Sequence, residues 1–430
     1  MRKDTRIAIT GIGLVTPVGN DRESTWEALL AGRAGAGPIT TFDASGFSTR
    51  IGAEVKGFDF EKVASRKLLK LASRSHRFAL GAAEEALADA GIRPQDGNAE
   101  RWGISAGAGM MSVSLAELSV VHQNCAADGY LHPEQMGAPE YPADPISFCR
   151  TQCNTGLSLL TQHFGIRGYA SAVHTACASG GQAIGTALKI MRRGLADQML
   201  VGGFDSMLNP IGLSSFCLLG ALSSDNDEPW RASRPFDASR NGFVLGEGAG
   251  FLVLERWEDA RRRGAKIYAE LAGDGNSLSC YRITDSPPDG DGPIQAIRQS
   301  LASAGLAPED IDYVNAHGTS TQMNDQSECA ALTAVMGSHL PNVAVSSTKG
   351  CMGHLIAAAG AVEAAVCALA IRDGIAPVNA NFVTPDPGAA VNIVAGKSRP
   401  VRIRAALSNS LGFGGSNSCL TFRHPDFVSA

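Results

Sequence analysis

Short apolar runs and helical patterns alternate along the chain. Residues 6–13 read as a strand, 24–31 as a helix, 74–90 as a helix and 102–106 as a strand. Period-two runs followed by period-3.6 runs predict helices packed on largely parallel strands, an α/β architecture. A weak echo adds to this. Ala183, Ile184, Ala187, Leu188 and Met191 recur at helical spacing, and their helix closes on Ile190-Met191-Arg192-Arg193-Gly194-Leu195-Ala196. A second helix rich in small residues closes on Ala370-Ile371-Arg372-Asp373-Gly374-Ile375-Ala376. Each ends in a cationic turn and a glycine suited to a left-handed cap. The echo predicts two halves of similar build, 1–264 and 265–430.

Composition narrows the function. Glycine supplies 49 of 430 residues, above the usual share of roughly 7%. Charged residues make up 18%, below the usual share of about 25%. Together these predict closely packed layers and a large subunit interface. With 37 basic and 42 acidic residues the net charge is −5, which argues against a partner held by phosphate neutralisation, so no nucleic acid is expected. The longest apolar stretch, 356–371, is short and interrupted by Glu363, which fits a buried helix and not a membrane span. The amino-terminal residues lead into alternating Ile7, Ile9, Ile12 and Leu14 and read as a first strand, not a signal peptide. Ten cysteines without framework spacing suit a reducing compartment, the cytoplasm. Cys149 and Cys153 stand four apart but lack a second ligand pair, so no zinc site is expected. Residues 126–144, rich in Pro, Gly and acidic side chains, read as a surface excursion.

Three places bring chemistry to strand ends. Val173-His174-Thr175-Ala176-Cys177-Ala178-Ser179-Gly180 sets Cys177 where a strand gives way to a helix. There, free N–H groups and the helix dipole favour a thiolate, and the cysteine N–H can serve half of an oxyanion hole. Val314-Asn315-Ala316-His317 reads as a strand ending in histidine, and Val345-Ser346-Ser347-Thr348-Lys349 as one ending in lysine. Gly350-Cys351-Met352-Gly353 then delivers His354 to a helix start, where the dipole keeps an imidazole neutral and able to donate to a developing anion.

These segments resemble the β-ketoacyl-acyl-carrier-protein synthases, and the elongating type II-like branch in particular. The resemblance rests on Thr175-Ala176-Cys177-Ala178-Ser179-Gly180, on Asn315-Ala316-His317-Gly318-Thr319-Ser320-Thr321, and on Ser346-Ser347-Thr348-Lys349 with Gly353-His354. Arg234-Pro235-Phe236-Asp237, Gly242-Phe243-Val244-Leu245-Gly246-Glu247-Gly248-Ala249-Gly250 and Gly412-Phe413-Gly414-Gly415-Ser416-Asn417 extend it, in the family's order, from about residue 6 to 422. It implies the thiolase fold, two duplicated halves in a five-layered α-β-α-β-α sandwich. It also implies an acyltransferase that holds an acyl chain on Cys177 and condenses it, with loss of CO2, onto malonyl-acyl carrier protein. The pathway implied is fatty acid or type II polyketide or polyene elongation.

By the same resemblance His317 and His354 hold the malonyl thioester carbonyl, and the N–H groups of Cys177 and Phe413 form the oxyanion hole. Lys349 orders the histidines, with Glu328 and Asp325 as its acidic setting. Thr319 and Thr321 hydrogen-bond the pantetheine arm, and Met110, Phe216 and Phe413 line the acyl pocket. No cofactor or metal is implied, since substrates ride on carrier-protein phosphopantetheine. The expected assembly is a homodimer, or a heterodimer with a chain-length-factor-like subunit. Lys62, Arg66, Lys67, Lys70, Arg74 and Arg77 recur partly at helical spacing; the resemblance makes this basic helical face the docking site of an acidic carrier protein.

Departures from the family pattern cluster around the acyl pocket: Gly107-Ala108-Gly109-Met110-Met111-Ser112, Ser214-Ser215 before Phe216, and Leu411. Residues 145–160, Asn241, Gln322 and Gly350-Cys351-Met352 also depart. They leave the chemistry intact and open the question of chain length. A degradative thiolase would need a second catalytic cysteine, and Cys419 lies outside the glycine loop. A silent chain-length-type partner subunit is the alternative, but one would be expected to lack Cys177.

Overall fold

A computed structural model describes residues 5–95, 97–109, 114–142, 144–152, 154–388 and 391–427. The sandwich is built from two series of elements. The first comprises β1 (Ile7–Val15), α1 (Arg74–Ala90), β2 (Trp102–Ala108), β3 (Ala170–Val173), α2 (Ser179–Arg192), β4 (Gln198–Ser206) and β5 (Glu247–Arg256). The second comprises β6 (Ala269–Leu278), α3 (Asp291–Ala304), β7 (Tyr313–Asn315), α4 (Gln322–Met336), β8 (Ala344–Ser346), α5 (Ala359–Asp373), β9 (Ala405–Leu411) and β10 (Ser416–Arg423).

The ten strands run β8-β7-β9-β10-β6-β1-β5-β4-β2-β3. Read outward from the centre, each half follows one order: first strand, fifth, fourth, second, third. The directions also repeat. The inner pairs β1·β5 and β5·β4 are antiparallel, as are β6·β10 and β10·β9. The outer pairs β4·β2 and β2·β3 are parallel, as are β9·β7 and β7·β8. Among the described strands, the two halves pair only at Ala8↔Glu270 and Ile9↔Ala269. The sheet is therefore mixed and not largely parallel, because β9 returns to β10 through the short glycine loop at 412–415, which only antiparallel neighbours allow.

Helices complete five layers. Helix α1 covers one face of the first half, with Phe78 and Leu87 against Trp102, Ile104 and Phe251. Helix α3 covers the second, with Ile297 and Leu301 against Val314 and Leu407. Between the two halves of the sheet lie α2 and α5. Every residue from 359 to 371 is buried, so α5 has no polar face. Small residues let the two central helices touch: a Cβ on Gly180 would lie 2.7 Å from Ala361 N, and one on Gly360 would lie 2.7 Å from Gly181 N. The sequence echo is this pair of equivalent helices, each followed by a left-handed glycine, Gly194 at φ +74° and Gly374 at φ +63°.

The basic stretch is not one helical face. A short helix spans Arg66–Leu69, the chain breaks after Lys70, and Ser73 caps α1 in a capping box with His76. Lys62, Arg66, Lys67 and Lys70 are exposed, but Arg74 is partly buried and paired to the buried Glu247, 2.7 Å from Nε to Oε2. Its charge neutralises an interior carboxylate, so Arg74 drops out of a free docking face. Arg77 lies beside it on Glu61, 2.9 Å away. The described part of the excursion, 126–142 and 144, is largely exposed and pairs Ala126–Ala127 with Tyr130–Leu131 in a small hairpin. Among the described residues no helix is long and apolar enough to cross a membrane.

Candidate active site

Two backbone elbows face each other where α2 and α5 begin. Ala176 has φ +50° and Ile356 has φ +48°, a left-handed conformation that L side chains, β-branched ones above all, rarely adopt. Each elbow opens a single 3-10 turn, Ala176–Ala178 or Ile356–Ala358, that runs straight into its central helix. Cys177 and Ala357 therefore hold equivalent places in the two halves.

Around the first elbow the backbone closes in. Gly412 passes so near that a Cβ there would lie 2.7 Å from Thr175 O and 3.3 Å from Cys177 N. This approach brings the Phe413 N–H to the Cys177 sulfur. Burial pushes the Cys177 thiol up to about 12, against opposing pulls from Lys349 and from the N–H groups of Phe413 and Cys177. At this helix start, burial outweighs the pull of Lys349 and the two N–H groups toward a thiolate.

His354 meets this thiol. Its Nε2 lies 3.0 Å from Cys177 Sγ, and its Nδ1 accepts the Ile356 N–H at 3.2 Å. The Val244–Gly246 segment clamps its backbone: His354 N donates to Val244 O at 2.7 Å and Gly246 N donates to His354 O at 2.9 Å. His317 crosses His354 edge to face, with ring centroids 5.2 Å apart, and its Nδ1 lies 3.4 Å from Lys349 Nζ. Both imidazoles are held well below the usual histidine range, first by burial and then by the Lys349 charge. Each is neutral. Because Nδ1 accepts in both rings, the single proton sits on Nε2, and two Nε2–H donors converge beside the thiol.

The carboxylate paired with Lys349 is Glu363 of α5, and both are buried. This corrects the expected acidic setting. Glu328 instead accepts the N–H groups of His317 and Gly318, both at 2.8 Å, and the Asn409 amide at 3.1 Å. Burial raises its carboxyl to about 7. Asp325 accepts the Phe236 N–H at 2.8 Å and faces Arg240 at 3.5 Å. The signal for Glu363 was present: it is the only charge inside the apolar stretch 356–371. A second missed group is Asp205, buried at the end of β4, whose Oδ2 accepts the Ala357 N–H at 3.1 Å.

A cavity of about 380 Å³ opens onto Cys177, His317 and His354, lined also by Phe216, Thr319, Thr321 and Phe413. The Thr319 and Thr321 hydroxyls lie 2.8 Å apart in its wall. Phe216 packs edge-on against Phe243, 5.5 Å away, and tilted against Phe413 at 6.4 Å. Met110 lies outside the described residues. Arg234-Pro235-Phe236-Asp237 is a brace: Asp237 accepts the N–H groups of Val383 and Thr384, each at 2.7 Å.

Among the described residues Cys177, His317 and His354 form a group whose potential ligand atoms lie within 4.8 Å of one another. Their hydrogen bonds oppose a metal. A neutral imidazole bound through Nε2 must carry its proton on Nδ1, where Ile356 N–H and Lys349 already donate.

The family model "Beta-ketoacyl synthase, N-terminal domain" matches residues 4–260, and "Beta-ketoacyl synthase, C-terminal domain" matches 268–383. This chain belongs to the β-ketoacyl synthases. It is 40% identical to the 3-oxoacyl-[acyl-carrier-protein] synthase 2 of Synechocystis, over 97% of this chain and 98% of that one. The enzyme of the same name from Coxiella burnetii is 39% identical over 96% and 97%. Among solved structures, the ishigamide ketosynthase/chain length factor superposes with TM-score 0.87 at 32% identity, covering 97% of this chain and 99% of that one. A type II polyketide synthase ketosynthase in complex with its acyl-carrier protein superposes with TM-score 0.86 at 30% identity, covering 98% and 100%. β-Ketoacyl synthases are condensing acyltransferases that work on carrier-bound substrates without metal or other cofactor.

Proposed function

We propose that this synthase elongates a carrier-bound acyl chain by decarboxylative condensation, with the roles divided between the two elbows. The observation that carries the reading is the convergence of a thiol, two N–H groups and two Nε2–H donors on one cavity. An acyl thioester enters along Thr319 and Thr321. Cys177 sulfur attacks its carbonyl, and the thiol proton leaves on the released pantetheine thiol. No resting thiolate is required, in keeping with a thiol raised to about 12.

Malonyl-carrier protein then places its thioester oxygen between His317 and His354. The bond to the carboxylate breaks, CO2 leaves, and the electron pair moves onto an enolate oxygen held by the two Nε2–H groups. Neutral donors stabilise that enolate without quenching it by protonation. The enolate carbon attacks acyl-Cys177, and the new oxyanion faces the N–H groups of Cys177 and Phe413. Collapse expels the sulfur, which takes up a proton and restores the thiol. Lys349 fixes the His317 tautomer, Glu328 holds the His317 loop, and Phe216 and Phe413 border the acyl chain.

We also take the chain as two units, 1–264 and 265–430, acting in the cytoplasm. Lys62, Arg66, Lys67 and Lys70 are the exposed cations for an acidic carrier protein. Leu115, Tyr130, Leu131, Met136 and Phe148, on the excursion and the helices that flank it, are exposed apolar side chains, which supports a dimer partner that covers them. The pathway reading spans fatty acid and type II polyketide or polyene elongation.

The test is incubation with acyl-carrier protein and then malonyl-carrier protein. Mass spectrometry should show acyl-Cys177, then release of a β-ketoacyl-carrier protein two carbons longer. No adduct with any acyl chain would remove the reading.

A further inference from the structure

The second elbow holds a buried carboxylate that the chemistry above does not use. Asp205 Oδ2 accepts the Ala357 N–H at 3.1 Å, and Oδ1 accepts the Ser206 N–H at 2.8 Å. The fit is close: a Cβ on Gly109 would lie 2.2 Å from Asp205 Oδ1. The Ala357 N–H is the counterpart of the Cys177 N–H, so one elbow offers its N–H to substrate and the other commits it to Asp205. Leu355 and Ile356 separate the histidine from Asp205's bond, and with Ile356 at a strained φ of +48° its N–H meets His354 Nδ1.

We propose that Asp205 is a positioning residue: by anchoring the Ile356-Ala357 elbow it holds His354 in the tautomer that presents Nε2–H to the enolate. Without that anchor Ile356 relaxes toward ordinary negative φ, and its N–H leaves Nδ1. The imidazole proton is then free to move to Nδ1, and the Nε2 lone pair faces the enolate oxygen instead of a donor. The hydrogen bonds of Asp205 go to the second elbow; at the first, its charge only adds to the burial that raises the Cys177 thiol, so its removal does not hinder the nucleophile. Asp205 therefore matters for decarboxylation and little for acyl capture. Its burial, which lifts the carboxyl to about 7, fits a group kept for its hydrogen bonds among low-polarity surroundings. The inference rests on the role given to His354 above.

The experiment compares wild type, Asp205→Asn and Gly109→Ala. Asparagine keeps the volume but turns one arm into a donor that must face a backbone N–H. Alanine at 109 displaces the carboxylate without touching its charge. Two half-reactions are read separately: acyl-Cys177 formation from hexanoyl-carrier protein by intact mass, and CO2 release from malonyl-carrier protein. In Asp205→Asn capture should stay within about threefold of wild type while CO2 release falls about tenfold or more with little change in KM, and Gly109→Ala, beside the acyl pocket, should reproduce the fall in CO2 release. Side-chain 15N shifts of His354 should move from Nε2–H toward a tautomer mixture. Unchanged CO2 release, or equal loss of both half-reactions in both variants, overturns the proposal. Absence of CO2 release from wild type would instead strike the reading of His354.

Discussion

At residue 176 and again at 356 a non-glycine backbone turns left-handed and a central helix follows, yet the N–H groups after the two turns have different partners. Cys177 N–H faces its own sulfur together with Phe413 N–H. Ala357 N–H is taken by Asp205. Duplication thus supplied two equivalent elbows, and a single carboxylate closes one of them. The first elbow carries the nucleophile and an open pair of donors. The second, lacking a nucleophile, orients the histidine two residues before it. One scaffold can serve acyl capture and enolate formation because the elbows share geometry without sharing partners.

The largest effect should come from erasing the difference at the first elbow. Cys177→Ala should abolish the acyl adduct and reduce elongation on the order of 10³-fold or more, measured by product mass. Adding Ala357→Cys to that variant transplants the thiol to the second elbow. It should form no acyl adduct, because Asp205 occupies the N–H that would complete an oxyanion hole there. An adduct on residue 357 would show that the elbows are interchangeable.

Loss of Lys349 tests the second elbow's neighbour. Lys349→Ala frees His317 Nδ1 and leaves Glu363 without its partner, so CO2 release should fall about 10²-fold while acyl capture persists. Glu363→Gln should follow the same pattern more weakly, since it keeps volume and removes only the charge that holds the lysine.

Titration sharpens the picture next. Burial raises Glu328 to about 7, far above its unfolded value. The folded chain then holds a proton that the unfolded chain has released. The stability from keeping it neutral is full below pH ~4.5 and is lost as pH climbs through about 7. Denaturant titrations of wild type and Glu328→Gln should diverge over that window, wild type losing ground on the order of 3 kcal/mol. A constant difference across the window would mean that Glu328 titrates normally.

The smallest effects belong to the basic segment. Arg66→Glu with Lys70→Glu should raise KM for carrier protein about three- to tenfold with kcat kept, and added salt should shrink the difference. Arg74→Ala should behave otherwise. It strands Glu247, so it should lower stability by about 2–3 kcal/mol and leave KM nearly unchanged.

The sequence made some of this legible. Cys177, His317 and His354 each follow a recognisable strand or tight turn, so local pattern alone put them at element ends. Helix 74–90 was equally plain, because Ser73 and Gly91 punctuate it. The basic face was misread, since helical spacing counted across 62–77 ignores the restart that the Ser73 cap imposes. Lys349's partner was missed for a different reason. Glu363 lies fourteen residues on, in another helix, and only the sandwiching of α5 between the sheets brings it near. Asp205 was invisible as a site residue because its role lies in a backbone N–H, which no side-chain pattern reports.

The account stands on the separation of acyl capture from decarboxylation. His317→Ala tests it most directly, because His317 donates to the enolate without touching the Cys177 sulfur. Intact mass and CO2 release measured on one preparation should show acyl-Cys177 forming near the wild-type rate and CO2 release reduced about 10²- to 10³-fold. Equal loss of both, or undiminished CO2 release, would contradict it.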